Sequence, residues 1–198
     1  MKIKNNQTGL TLVEILVAVS IFSLLSVVIS GIYVAFSNAQ ARATKAQRLL
    51  NDAQFALVGI AREIRNNKLY YDFGLSSEKC NDEFAGKVTV ESCIFLQKND
   101  GTIVAFAKES DNKLDYLVKD KSTDDWSVTG FVFNGGDEGV IIDGLWFKYS
   151  PILDPANEGT DIQPFVTVQF QVSTDETNVY KKVTYNLQTS VSSRFYQR

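Results

Sequence analysis

Between Ile15 and Phe36 the chain runs for 22 residues without a charged side chain, and only Ser20, Ser23, Ser26, Ser30 and Gly31 interrupt its apolar character. Wound as a helix at 1.5 Å per residue, such a run is about 33 Å long, enough for a hydrocarbon core of about 30 Å. A segment apolar on every side has to be surrounded, by lipid or by other helices. The four serines fall within about 120° of one another on the helical wheel. They form a seam of small side chains of the kind that lets helix backbones approach closely. From Leu10 to Phe36 the only charge is Glu14. An ionised side chain in hydrocarbon costs at least ~2.5 kcal/mol, so this carboxylate is expected to have a partner of opposite charge.

Composition narrows the chemistry. The chain has 198 residues, no histidine, two cysteines and a formal net charge of −3. Without an imidazole there is no Ser-His-Asp triad, no Cys-His dyad and no His-ligated metal site. Two cysteines are too few for a four-thiolate site. The mild acidity argues against a broad nucleic-acid footprint. Gly135-Gly136 lacks the Lys-Ser/Thr that a phosphate loop requires. The expectation is a non-enzymatic chain with no cofactor and no metal.

Three readings of the N-terminus compete. Ala39-Gln40-Ala41 is a signal-peptidase-like site, and cleavage there would leave Arg42 as the new end. The apolar run is longer than the usual h-region of about 7–15 residues, however, and it carries Glu14. An uncleaved single-pass anchor for an extracytoplasmic binding or sensor domain is the second reading. Positive charges flank the span on both sides (Lys2 and Lys4 before it, Arg42, Lys45 and Arg48 after), so charge alone leaves the orientation ambiguous.

The third reading comes from Lys2 and Lys4, followed by Gly9-Leu10-Thr11-Leu12-Val13-Glu14 and the long apolar run. This arrangement resembles the N-terminus of type IV prepilins and pseudopilins. The resemblance implies that prepilin peptidase cuts between Gly9 and Leu10 and that the Leu10 amine is methylated. Glu14 then becomes the fifth residue of the mature helix, and its carboxylate meets the N-terminal ammonium of a neighbouring subunit. It also implies an N-terminus in the cytoplasm, a periplasmic or cell-surface domain, and partnership with other pilin subunits and an inner-membrane assembly platform. Gly31 stands near where many major pilins carry a helix-breaking proline. A looser likeness, through Arg62–Asn66 and Leu145–Tyr149, is to the J-type pseudopilin of type II secretion and the W-type minor pilin.

Beyond the span, Phe36, Ala39, Ala43, Ala46, Leu50, Ala53, Leu57, Ile60 and Ile64 recur at spacings of three and four. This predicts an amphipathic continuation of the helix, packed on the chain's own sheet and stopping near Asn66-Asn67. The remainder reads as β. Runs at 88–96 and 102–108 flank Lys98-Asn99-Asp100-Gly101, a hairpin turn signal. Further runs lie at 114–118, 127–133 and 140–149, the last with a bulge or bend suggested at Asp143-Gly144. Alternation at 166–172 and 183–187 predicts an antiparallel hairpin. Trp126, Trp146, Phe147 and Tyr149 are expected in the sheet core. The predicted organisation is a leader at 1–9, a membrane or filament-core helix at 10–36, its amphipathic continuation at 37–67 and a β-rich domain at 68–198. The fold class is therefore α+β, a pilin-like long N-terminal helix packed on one antiparallel sheet.

Cys80 and Cys93 complete the sequence-level candidates. In an extracytoplasmic domain a disulfide is favoured, the alternative being two reduced thiols. Asp154, Glu158 and Asp161 share a proline-bearing loop without EF-hand spacing and are expected to be solvated.

Overall fold

Apolar positions spaced by three and four wind into one long helix, and alternating positions form strands. The computed structural model describes residues 11–73, 80, 84, 90–109, 113–121, 125–134, 140–159, 162–176 and 182–193. Two compact units divide the chain, Met1–Thr44 and Lys45–Arg198. Helix α1 (Leu12–Asn66) supplies the described structure of the first and opens the second. Strands β1 (Lys68–Leu69), β2 (Val90–Gln97), β3 (Ile103–Glu109), β4 (Lys113–Lys119) and β5 (Trp126–Asn134) pair in sequence order as one sheet. Strands β6 (Val140–Ser150), β7 (Phe165–Thr174) and β8 (Thr184–Ser192) form a second, and every described pairing is antiparallel. The short helix α2 (Pro155–Glu158) interrupts the loop before β7.

Where one sheet is expected, there are two. Both turn their apolar face to the same stretch of helix. Leu49, Ala53, Ala56, Leu57, Ile60 and Ile64 of α1 share one core with Ile94, Phe106 and Leu114 of the first sheet and Ile142, Val168 and Phe170 of the second. Strand alternation specifies which face is buried but not which strand is the neighbour. Each such large side chain contributes roughly 1.5–3 kcal/mol by leaving water.

The expected stripe packs along only part of its length. Phe36, Ala39 and Ala43 are exposed, and continuous burial starts at Leu49. The helix stops at Asn66, where the Asn67 side-chain amide donates to the Glu63 carbonyl at 2.9 Å and to its carboxylate at 2.8 Å. The Ser193 hydroxyl, just past β8, donates to the Asn67 carbonyl at 2.8 Å.

The five-stranded sheet is covered on its other face as well. There Phe95, Ala105, Ala107, Leu117 and Trp126 pack with Phe84 and with the Cys80–Cys93 disulfide, whose Cα atoms lie 5.9 Å apart. Phe84 stacks on Phe95 at 5.6 Å and meets Trp126 edge-on at 5.0 Å. The β2–β3 turn closes through Lys98 N–H to the Thr102 carbonyl at 2.8 Å, with Gly101 at a φ of 81° that suits glycine.

Strand β6 changes phase in its middle. The register shifts between Ile142 and Gly144, leaving Asp143 as an extra residue. Val140 and Ile142 face the core before it; Leu145, Phe147 and Tyr149 face the core after it. The same shift sends Trp146 to the outer face, 51% exposed, against the expectation that it lies in the core. Trp126 is buried.

Candidate functional site

The first unit carries the segment singled out by the sequence. Its helix holds a stretch long and apolar enough to cross a membrane, none of it buried within the chain. Leu12, Leu16, Phe22, Leu24 and Ile29 are all more than half exposed. Gly9 and Leu10, the residues flanking the expected cut, lie outside the described residues.

Glu14 sits in the first turn of α1, and there its carboxylate has a local partner. It accepts from the Thr11 backbone N–H at 2.9 Å and from the Thr11 hydroxyl at 3.0 Å. In return, the Glu14 N–H donates to the Thr11 hydroxyl at 3.4 Å. This is a reciprocal capping box, which satisfies donors that a helix start leaves without intrahelical partners. The signal, a threonine followed three residues later by glutamate, was present in the sequence. A carboxylate near a helix N-terminus also lies at the favourable end of the macrodipole. Among the described residues, the partner of Glu14 is thus a neutral, neighbouring one.

The serine seam is self-sufficient in the same manner. Ser20, Ser23, Ser26 and Ser30 each donate to the carbonyl four residues back at 2.8 Å. An unpaired hydroxyl in an apolar medium is costly, and this back-bonding removes that cost without any partner chain. The seam therefore offers small size to a neighbouring helix, with its hydroxyl protons already committed. Helix α1 continues through Gly31 without a break.

The second unit holds the other candidates. Cys80 and Cys93 are joined, well away in sequence from Glu14. Asp154 precedes α2, and its carbonyl accepts from the Asn157 and Glu158 N–H groups at 3.0 and 3.2 Å; Asp161 lies outside the described residues. Tyr71 donates to the Pro151 carbonyl at 3.3 Å, and burial, with Asp154 and Tyr149 nearby, raises its hydroxyl far above the usual tyrosine range. A cleft of about 340 Å³ is lined by Lys45, Arg48, Asp52, Thr174, Asp175 and Glu176, among others. Lys45 and Glu176 form an ion pair across it at 2.7 Å. The Thr174 hydroxyl accepts from the Val183 N–H at 3.0 Å, so it serves the backbone.

Residues 4–30 match the family model described as the prokaryotic N-terminal methylation motif. Neither a curated protein nor a solved structure matches the chain. The matched stretch takes in the leader-like residues from Lys4, the Gly9-Leu10 step, Thr11, Glu14 and most of the apolar run. It is typical of type IV pilins and pseudopilins and marks the N-terminus as a prepilin-peptidase type of substrate, continuous with an apolar helix suited to a single-pass membrane anchor.

Proposed function

We propose that this chain, its N-terminus being of the prepilin type, is a minor pilin or pseudopilin, a structural subunit of a type IV pilus or a type II secretion-like filament. The observation that carries the reading is the methylation motif leading into a helix whose first 33 described helical positions, Leu12 to Thr44, include no buried residue. In the membrane, lipid surrounds that surface; in a filament, the equivalent helices of neighbouring subunits take its place. The N-terminus lies in the cytoplasm and the β-rich unit outside it. Prepilin peptidase, other pilin subunits and an inner-membrane assembly platform are the partners.

Glu14 has a role that the capping box makes specific. While the subunit is alone, Thr11 keeps the carboxylate hydrogen-bonded inside the hydrocarbon. On assembly, the new ammonium at Leu10 of a neighbour replaces a neutral partner with a charged one, and charge-assisted hydrogen bonds are roughly twice as strong. The protein performs no catalysis in this reading. The lack of histidine and the internal ion pair in its cleft support that.

Co-expression with prepilin peptidase, followed by mass spectrometry of the mature end, tests the reading. Methylated Leu10 is the expected end group. Intact Met1 would favour an uncleaved anchored binding or sensor protein, and Arg42 a secretory cleavage. Glu14→Ala should be processed normally yet be lost from sheared filaments; its normal incorporation would remove the assembly role.

A further inference from the structure

The outer face of the three-stranded sheet carries polar side chains around one exposed indole. Its cross-strand rows are set by register. Trp146 lies beside Gln169, which lies beside Gln188, and the next row runs from Lys148 through Thr167 to Ser190. On the opposite side, Gly144 is followed by Gln171 and Asn186. Lys148 carries the only charge in these three rows, and none holds a carboxylate. Neighbouring rows along a strand lie about 6.5 Å apart and neighbouring strands about 4.8 Å, so the polar groups form a regular grid on the twisted sheet.

The grid is held in place. Thr167 and Ser190 share a hydrogen bond at 2.8 Å, and the Gln169 amide donates to the Gln188 carbonyl oxygen at 3.2 Å. Each amide keeps further donor or acceptor capacity for a ligand. Trp146 is half exposed, and its ring lies over Gly144 so closely that a Cβ there would fall 2.1 Å from the indole. Glycine is the seat on which the ring lies. A large apolar ring kept in solvent beside amides and hydroxyls, with almost no charge, is poorly matched to a metal ion, a phosphate or a charged peptide. It matches a ligand with apolar ring faces and neutral hydroxyls at its rim.

We propose that this face binds a neutral, extended β-1,4-linked oligosaccharide. A pyranose ring stacks on the Trp146 indole, and its hydroxyls exchange hydrogen bonds with Gln169, Gln188, Thr167 and Ser190. In a β-1,4-linked gluco-configured chain every ring substituent is equatorial, so each ring has apolar faces for the indole and hydroxyls at its rim for the amides and hydroxyls beside it.

The test uses the full chain in dodecylphosphocholine micelles, whose head group contains no sugar, titrated with cellohexaose and chitohexaose. The chain has two tryptophans, and Trp126 is buried, so a change in indole emission reports Trp146. At least one oligosaccharide is expected to shift that emission and to release heat on binding. By calorimetry, Trp146→Ala should bind about tenfold more weakly or less, the loss typical of removing a central aromatic anchor. Gly144→Ala, which keeps the indole but takes its seat, should also weaken binding, with far-UV dichroism unchanged in both variants. Absence of binding to both oligosaccharides overturns the proposal, as does unchanged affinity in Trp146→Ala. Concentration-dependent self-association that Trp146→Ala abolishes, without sugar binding, would also overturn it and assign the face to a second copy of the chain.

Discussion

In residues 12–44 of helix α1, apolar side chains point in all directions and none is buried, whereas in residues 45–66 a single stripe is buried beneath two sheets. The polar groups differ in parallel. In the first stretch Ser20, Ser23, Ser26, Ser30 and Glu14 all bond to residues three or four positions away. In the second, Lys45 reaches Glu176 and the helix stop is tied to Ser193 through Asn67. The first stretch pairs these polar groups locally and is incomplete in its packing. For the other, packing comes from the same chain and polar pairing is partly long-range. A helix that satisfies such polar groups locally can change its surroundings without leaving donors unpaired, as the proposed passage from lipid into a filament requires.

This contrast can be broken most forcefully at Ile60. Ile60→Ala removes a fully buried side chain between the sheets and should cost about 2–5 kcal/mol in urea unfolding followed by Trp126 emission. The matching change Leu24→Ala, at a position 70% exposed, should leave that midpoint within about 0.5 kcal/mol. Equal shifts would mean that the two stretches unfold as one packed body. Next in size is the disulfide. Reducing Cys80–Cys93, 13 residues apart, should lower stability by up to ~3 kcal/mol through the unfolded chain's regained freedom. An unchanged midpoint would show that the aromatic cluster around Phe84 holds that region unaided.

A smaller effect separates local polar pairing at the buried end of the helix from the same kind of pairing in its exposed stretch. Asn67→Ala removes two hydrogen bonds to Glu63 and should cost about 1 kcal/mol. Ser23→Ala removes a hydroxyl together with its need for a partner, so helix content in micelles should stay unchanged within error. The smallest effect belongs to the β2–β3 turn. Thr102 N–H donates to the Asp100 carboxylate at 2.8 Å, which holds that carboxyl below its usual range. A depressed carboxyl contributes stability above its unfolded pKa of ~4 and loses that contribution as pH falls through the lower folded value. The gap in urea midpoint between wild type and Asp100→Ala should therefore close as the pH is taken down from 7 into that range. A gap independent of pH would place the effect in the turn backbone and not in the charge.

Much of this was legible in the chain. Long spacings of three and four gave α1 and its stop, because Asn67 has only to reach back one turn. Strand runs were legible because alternation is a local property, and the Asp100-Gly101 turn because positive φ suits glycine. Two features were not. The division into two sheets depends on which strand pairs with which, information that alternation does not contain. The Asp143-Gly144 pair marked an irregularity in β6, but not that its extra residue would turn Trp146 outward, since aromatic content alone argues for burial. At the N-terminus both the charge of Glu14 and its role as a cap are written within four residues, Thr11 to Glu14.

The phase change at Asp143 has a consequence for heredity. Loss of that single codon would let β6 run in uninterrupted alternation. Because Asp143 is the residue without a partner on β7, its loss would join the two registers and keep Leu145, Phe147 and Tyr149 inward and Trp146 outward. Loss of a codon just beyond the bulge, at Leu145, would instead turn Trp146 inward and Phe147 and Tyr149 to water, were the bulge kept. What this surface offers thus depends on which side of one residue a codon is lost.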